Sequence, residues 1–79
     1  MAKNVTVYST PTCPFCLRAK QYLKDNNIQF TEHDVGANPD KAQEMISKSG
    51  QMGVPVIDID GKIVIGFDKD KIKSELGIQ

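Results

Sequence analysis

The sequence predicts an α/β fold in which three helices flank a four-stranded mixed sheet, with the elements in the order β-α-β-α-β-β-α. Three observations carry this expectation. Short apolar runs with strand-like alternation are separated by stretches with helical spacing of apolar residues. Two of the helical stretches open on a capping residue followed by proline, Cys13-Pro14 and Asn38-Pro39. Finally, Asp60-Gly61 between Ile59 and Lys62 is a two-residue turn signal that folds the chain back as a hairpin.

Val5-Thr6-Val7-Tyr8 alternates as the first strand, and Pro14 to Asn27 reads as a helix with Leu17, Tyr22 and Leu23 on or near one face. Asn26-Asn27 is its stop, because asparagine tolerates the left-handed backbone found past helix ends. Ile28-Gln29-Phe30-Thr31 begins a second strand running towards Val35, with His33 a solvated residue near its end. A helix lies between these two strands, so they are expected to be parallel. After the loop Gly36-Ala37, Asn38 caps a helix with Pro39 in its first position and Asp40 in its first turn. Ala42, Met45 and Ile46 recur at helical spacing with Met45 as core filling, and Gly50 closes the helix.

Val54-Pro55-Val56-Ile57-Asp58-Ile59 follows, a strand signal with a proline inside it. Proline donates nothing to a sheet ladder, so Pro55 either begins an edge strand or sits in a cis peptide that turns the backbone towards the cysteines. Residue type alone favours the first. Ile63-Val64-Ile65 returns from the hairpin, and the apolar runs in both hairpin strands predict burial on two sides. Gly66-Phe67 ends the strand, Asp68 starts a helix over 69–76 with Ile72 and Leu76 inward, and Gly77 ends it.

With 79 residues the chain is expected to form one small domain, 1–79, and a monomer. Ten basic side chains balance ten acidic ones, so no overall field attracts nucleic acid or an anionic membrane. The balance is uneven along the chain: up to Asn27, Lys3, Arg18, Lys20 and Lys24 face Asp25 alone. No apolar run reaches the roughly 18 residues a membrane helix needs. Met1-Ala2-Lys3-Asn4 leads directly into a strand, so a cytoplasmic location is expected. In that compartment two closely spaced cysteines point to catalysis or metal binding rather than a structural staple.

The chemistry concentrates in Cys13-Pro14-Phe15-Cys16. Two thiols three positions apart at a helix start are one turn apart, near enough to close into a disulfide. Cys13 is the expected N-cap, where unpaired amides and the positive helix end favour a thiolate. The amides of Phe15 and Cys16 and the Cys16 S–H are the expected donors to its sulfur. Arg18 and Lys20 lie one turn on, within reach if they turn towards it. Cys13 is therefore the expected nucleophile and Cys16 the thiol that resolves the mixed disulfide.

In their order along the chain, Val7-Tyr8-Ser9, Thr12-Cys13-Pro14-Phe15-Cys16, Ala19-Lys20, Ser49-Gly50, Gly53-Val54-Pro55 and Gly66-Phe67-Asp68 resemble the glutaredoxins, particularly the short bacterial glutaredoxin-like proteins. The resemblance spans nearly the whole chain and implies a minimal thioredoxin fold. It further implies a cis Pro55 beside Cys13 that helps keep metals off the thiols, and a Val54 backbone that pairs with substrate peptide or glutathione. The substrate- and glutathione-binding residues it implies are Pro14, Phe15, Gln51, Val54, Pro55, Gly66, Phe67 and Asp68. No bound cofactor or metal is implied; glutathione is the implied co-substrate and disulfide-containing proteins the partners.

The chain departs from the family pattern at glutathione-binding positions. Thr10 stands where many glutaredoxins carry lysine, and Ile65 and Lys69 replace the outer glycine and aspartate around Gly66 and Asp68. Gln51 and nearby Lys48 are left to hold a carboxylate, and a thioredoxin reductase becomes a competing electron donor. A metal or iron–sulfur carrier is the alternative of another class. Two cysteines and one distant histidine fall short of the four ligands such a site wants. A binding adaptor without turnover has no need of two thiols.

Overall fold

The computed structural model describes residues 4–77. Residues 1–3, Lys3 among them, and residues 78–79 lie outside that range. Its elements are β1 (Val5–Ser9), α1 (Pro14–Asp25), β2 (Thr31–Asp34), α2 (Pro39–Ser49), β3 (Val56–Ile59), β4 (Lys62–Ile65) and α3 (Lys69–Leu76). The sheet runs β2-β1-β3-β4, with β1 and β2 parallel and the other neighbours antiparallel. This is the mixed sheet expected from the sequence.

Alternation along the strands divides the interior into two layers. On one face Val5, Val7, Ile57, Ile59 and Val64 pack with Ala19 and Leu23 of α1 and Ile72 of α3. On the other, Tyr8 and Val56 pack with Met45 of α2. Central β3 feeds both layers and is buried on both sides. Edge strand β4 is not, because Ile65 is 52% exposed, which corrects the expectation for the second hairpin strand. β4 ends at Ile65 on the edge of the sheet, with a strand beside it on one side only.

Local signals set the helix limits. Asn38 Oδ1 accepts the Lys41 N–H and Asp68 Oδ1 the Lys71 N–H, each filling one orphan donor of a first helical turn. At the hairpin, Asp60 and Gly61 have φ of 52° and 95°, the left-handed pair a two-residue turn requires. Two expectations shift. Helix α1 ends at Asp25, with Asn26 as cap and Asn27 in the left-handed region at φ 58°. Strand β2 begins at Thr31, while Ile28 and Phe30 serve the core from the preceding loop. The face of α1 also differs: Cys16, Ala19 and Leu23 are buried and Leu17 is 55% exposed. The inward stripe is a narrow one, and the cysteine occupies the place the sequence reading gave to leucine.

A polar network crosses the α2 layer. The Tyr8 hydroxyl donates to Glu44 Oε2 at 2.5 Å and accepts from Lys48 Nζ at 2.9 Å, and Lys48 also meets Asp58 Oδ2 at 2.9 Å. The Tyr8 hydrogen bond holds the Glu44 carboxyl below its ordinary value of 4.5. Because the folded value is depressed, this contribution to stability is complete above the ordinary value and is lost as pH falls through the folded one. Tyr8→Phe removes both hydrogen bonds of the hydroxyl and is expected to lower stability at neutral pH. It should also flatten the acid limb of a urea-unfolding series measured against pH.

Candidate active site

The site stands at the N-terminal end of α1, above the carboxyl end of β1. Cys13 has extended backbone (φ −91°, ψ 112°) and caps the helix, and Pro14 occupies the first turn, where its missing N–H costs nothing. The Cys16 N–H donates to Cys13 Sγ at 3.1 Å, so the cap's usual oxygen acceptor is replaced by sulfur. Cys13 is partly exposed, whereas Cys16, one turn deeper, is 0% exposed; both are free thiols. Burial, and next the hydrogen bond to Cys13, push the Cys16 thiol up to about 11. One sulfur is thus presented to solvent at a positive helix end, and the other is held protonated beneath it.

Across from the cysteines lies the segment before β3. The Val54–Pro55 peptide is cis, as the family resemblance implies, and Pro55 is buried immediately ahead of a central strand rather than starting an edge one. Cys13 Sγ lies 3.8 Å from the Val54 carbonyl oxygen as a donor to it. The Gly66 N–H donates to the Pro55 carbonyl at 2.8 Å, which ties the end of β4 to this segment. Val54, Pro55 and Gly66 are thereby brought to one end of the sheet with Cys13.

The remaining sequence-derived binding residues have other engagements. Phe15 is 55% exposed beside the thiols, with the Arg18 guanidinium 5.5 Å from its ring centre. Phe67 packs edge-on against Tyr22 and is partly built into the core, and the Asp68 carboxylate caps α3. Gln51 folds its amide onto Gly53. Lys48 is held by Tyr8 and Asp58, and Lys20 by Glu32 at 2.7 Å. His33 packs its ring against Tyr8, at 5.5 Å between centres, so its role is in the β1–β2 contact. Among the described residues, no group of three or more His, Cys, Asp and Glu side chains is arranged to hold a metal ion.

Sequence reasoning missed a shallow groove of about 300 Å³ lined by Arg18, Gln21, Tyr22, Asp25, Phe67 and Lys69. Its only trace in the sequence is the helical spacing of Arg18, Gln21, Tyr22 and Asp25 along α1. The contribution of α3 becomes visible only once the chain is folded. No helix among the described residues is long and apolar enough to cross a membrane.

A partly exposed cap cysteine, a buried partner one turn on, and a cis-proline segment facing them on a four-stranded sheet define a thioredoxin-fold dithiol protein. Comparison with known proteins narrows the class. The glutaredoxin family model matches residues 5–64, and the chain belongs to the glutaredoxin family. It is 50% identical over 68 residues to an uncharacterized glutaredoxin-like 8.6 kDa protein in the rubredoxin operon of Clostridium pasteurianum, covering 86% of this chain and 91% of that one. It is 42% identical over 65 residues to glutaredoxin 3 of Escherichia coli, covering 82% and 78%. Among solved structures, the glutaredoxin from Archaeoglobus fulgidus superposes with a TM-score of 0.84 at 27% identity, covering 91% of this chain and 84% of that one.

Proposed function

We propose that this protein reduces disulfides of proteins, and glutathione mixed disulfides, by a two-thiol exchange. The reading is carried by one observation, the capped and partly exposed Cys13 sulfur receiving the Cys16 N–H at 3.1 Å while Cys16 itself is sealed from solvent. The Cys13 thiolate attacks one sulfur of the substrate disulfide. A Cys13–substrate bond forms, the substrate S–S bond breaks, and one substrate thiolate leaves.

Before that step, contact with Cys13 adds to the burial that keeps Cys16 protonated. Once Cys13 is a neutral mixed disulfide, that contribution falls away and Cys16 gives up its proton more easily. Its thiolate then attacks Cys13 Sγ and expels the second substrate thiolate. The substrate gains two electrons and, with the two protons the thiols release, leaves as two thiols, while the protein loses two electrons and ends as a Cys13–Cys16 disulfide. The raised Cys16 value thus acts as a timing device, releasing the second nucleophile only after the first has reacted.

Glutathione is the proposed co-substrate, with the Val54 backbone and the Gly66-Phe67-Asp68 segment as its contacts. A second reading, re-reduction by a thioredoxin-reductase-type flavoprotein, is favoured by one specific observation. Both side chains left by the sequence to grip a glutathione carboxylate, Gln51 and Lys48, are engaged within the protein. A side-by-side assay with glutathione plus its reductase and with thioredoxin reductase tests both. Turnover is expected with each donor, and faster with the flavoprotein. Absence of turnover with either overturns the oxidoreductase reading, and a strong preference for glutathione overturns the second reading alone.

A further inference from the structure

We infer that Gln51 is a positioning residue: its side-chain amide takes the place of a strand neighbour and fixes the backbone that Val54 presents to Cys13. The inference deepens the proposed disulfide exchange and rests on that reading for its effect on rate.

The Gly53 N–H donates to Gln51 Oε1 at 2.6 Å, and Gln51 Nε2 donates to the Gly53 carbonyl at 3.0 Å. One amide thus satisfies both backbone groups of a single residue, as a paired strand does, in a segment between α2 and β3 that has no strand beside it. The orientation is determined, since exchanging Oε1 and Nε2 sets oxygen against oxygen and donor against donor. The second hydrogen of Nε2 points to Ser49 Oγ at 3.4 Å, and that hydroxyl donates to the Met45 carbonyl at the end of α2. The clamp is therefore anchored on the helix, and both Gln51 donors are occupied. Nothing remains on this amide for a carboxylate.

Residue 53 is bound into the same device. A Cβ on Gly53 would stand 2.7 Å from Gln51 Oε1, a distance real side chains do not show, so the clamp closes only over glycine. The consequence for the site runs through peptide planarity. The Gly53 carbonyl and the Val54 N–H share one rigid plane, and pinning the first aims the second. The Val54 carbonyl, on the other side of the same residue, is the group 3.8 Å from Cys13 Sγ. Pro55 has no N–H, so the donor this segment can offer is the Val54 N–H, and its acceptor beside the sulfur is the Val54 carbonyl.

The experiment uses single-turnover oxidation of the fully reduced protein, which requires no electron donor. Two probes are compared, a capped peptide disulfide without charged groups and the same peptide as its glutathione mixed disulfide. Gln51→Ala is expected to slow both about tenfold, the worth of a lost pair of aligned hydrogen bonds. Alkylation of Cys13 by iodoacetamide should keep its wild-type rate. Gly53→Ala should slow the probes similarly, and the double variant should be no slower than either single one. Hydrogen exchange should quicken at the Gly53 amide in Gln51→Ala while the amides of β3 keep their protection.

Slowing of the glutathione probe alone overturns the inference, because it makes Gln51 a ligand for glutathione. Multiplying losses in the double variant, or unchanged exchange at Gly53, overturn it too. A wild-type protein that reduces neither probe defeats the proposed function instead, and the exchange measurement still decides the clamp.

Discussion

Cys13→Ser is expected to abolish reduction of every disulfide substrate, with kcat/KM falling at least about a thousandfold. The substitution is informative because serine is itself among the best helix N-caps. Its hydroxyl accepts the Cys16 N–H as the sulfur does, so α1 should keep its first turn and the melting temperature should stay near that of the wild type. What disappears is the sulfur nucleophile, since a serine hydroxyl in this position has no base beside it to activate it. The measurement pairs a thermal melt with assays on an insulin-type protein disulfide and on a glutathione mixed disulfide. Residual turnover on either one removes Cys13 from the first step.

Cys16→Ser is expected to divide the two reactions. Reduction of a protein disulfide should stop after one equivalent of substrate thiol is released, leaving the substrate joined to Cys13 because no internal thiol follows. A glutathione mixed disulfide should still turn over, with a second glutathione performing the release. Cys16 is fully buried, and a hydroxyl in its place lacks the apolar character of the thiol, at a cost of about 1–3 kcal/mol. Cys16→Ala, which adds no polar group, should show the same division of activities and separate chemistry from stability. Intact-mass measurement detects the stalled adduct. Repeated turnover of the protein disulfide by both variants contradicts the resolving role.

Much of this architecture was legible because its signals are local. Asn38-Pro39 and Gly50, Asp68 and Gly77, and the Asp60-Gly61 turn each state a backbone conformation within two or three residues. The structure places α2, α3 and the hairpin where those signals put them. Cys13 as cap was legible for the same reason, with proline behind it and a strand before it.

The illegible parts depend on partners distant in sequence. Whether Leu17 or Cys16 faces inward depends on where the sheet lies, and periodicity over one short helix fixes that direction only to within a residue. Ile65 read as buried because its run is apolar, but exposure at an edge is decided by what covers the strand. Lys48 and Gln51 looked available for a ligand because sequence shows a side chain's chemistry without its occupancy. Tyr8 and Asp58 take up one, and the loop's own backbone takes up the other.

The central claim is that the buried Cys16 thiol is held protonated well above the ordinary thiol range, by burial and then by its contact with Cys13. Ultraviolet thiolate absorbance followed against pH in the wild type, Cys13→Ser and Cys16→Ser measures it most directly. A step near pH 11 is predicted for the buried Cys16 thiol. That step should vanish in Cys16→Ser. In Cys13→Ser the remaining thiol should titrate below its wild-type value, because the raising effect of the neighbouring sulfur is gone. Survival of the step near pH 11 on replacing Cys16, or an unchanged Cys16 titration in Cys13→Ser, would contradict the account.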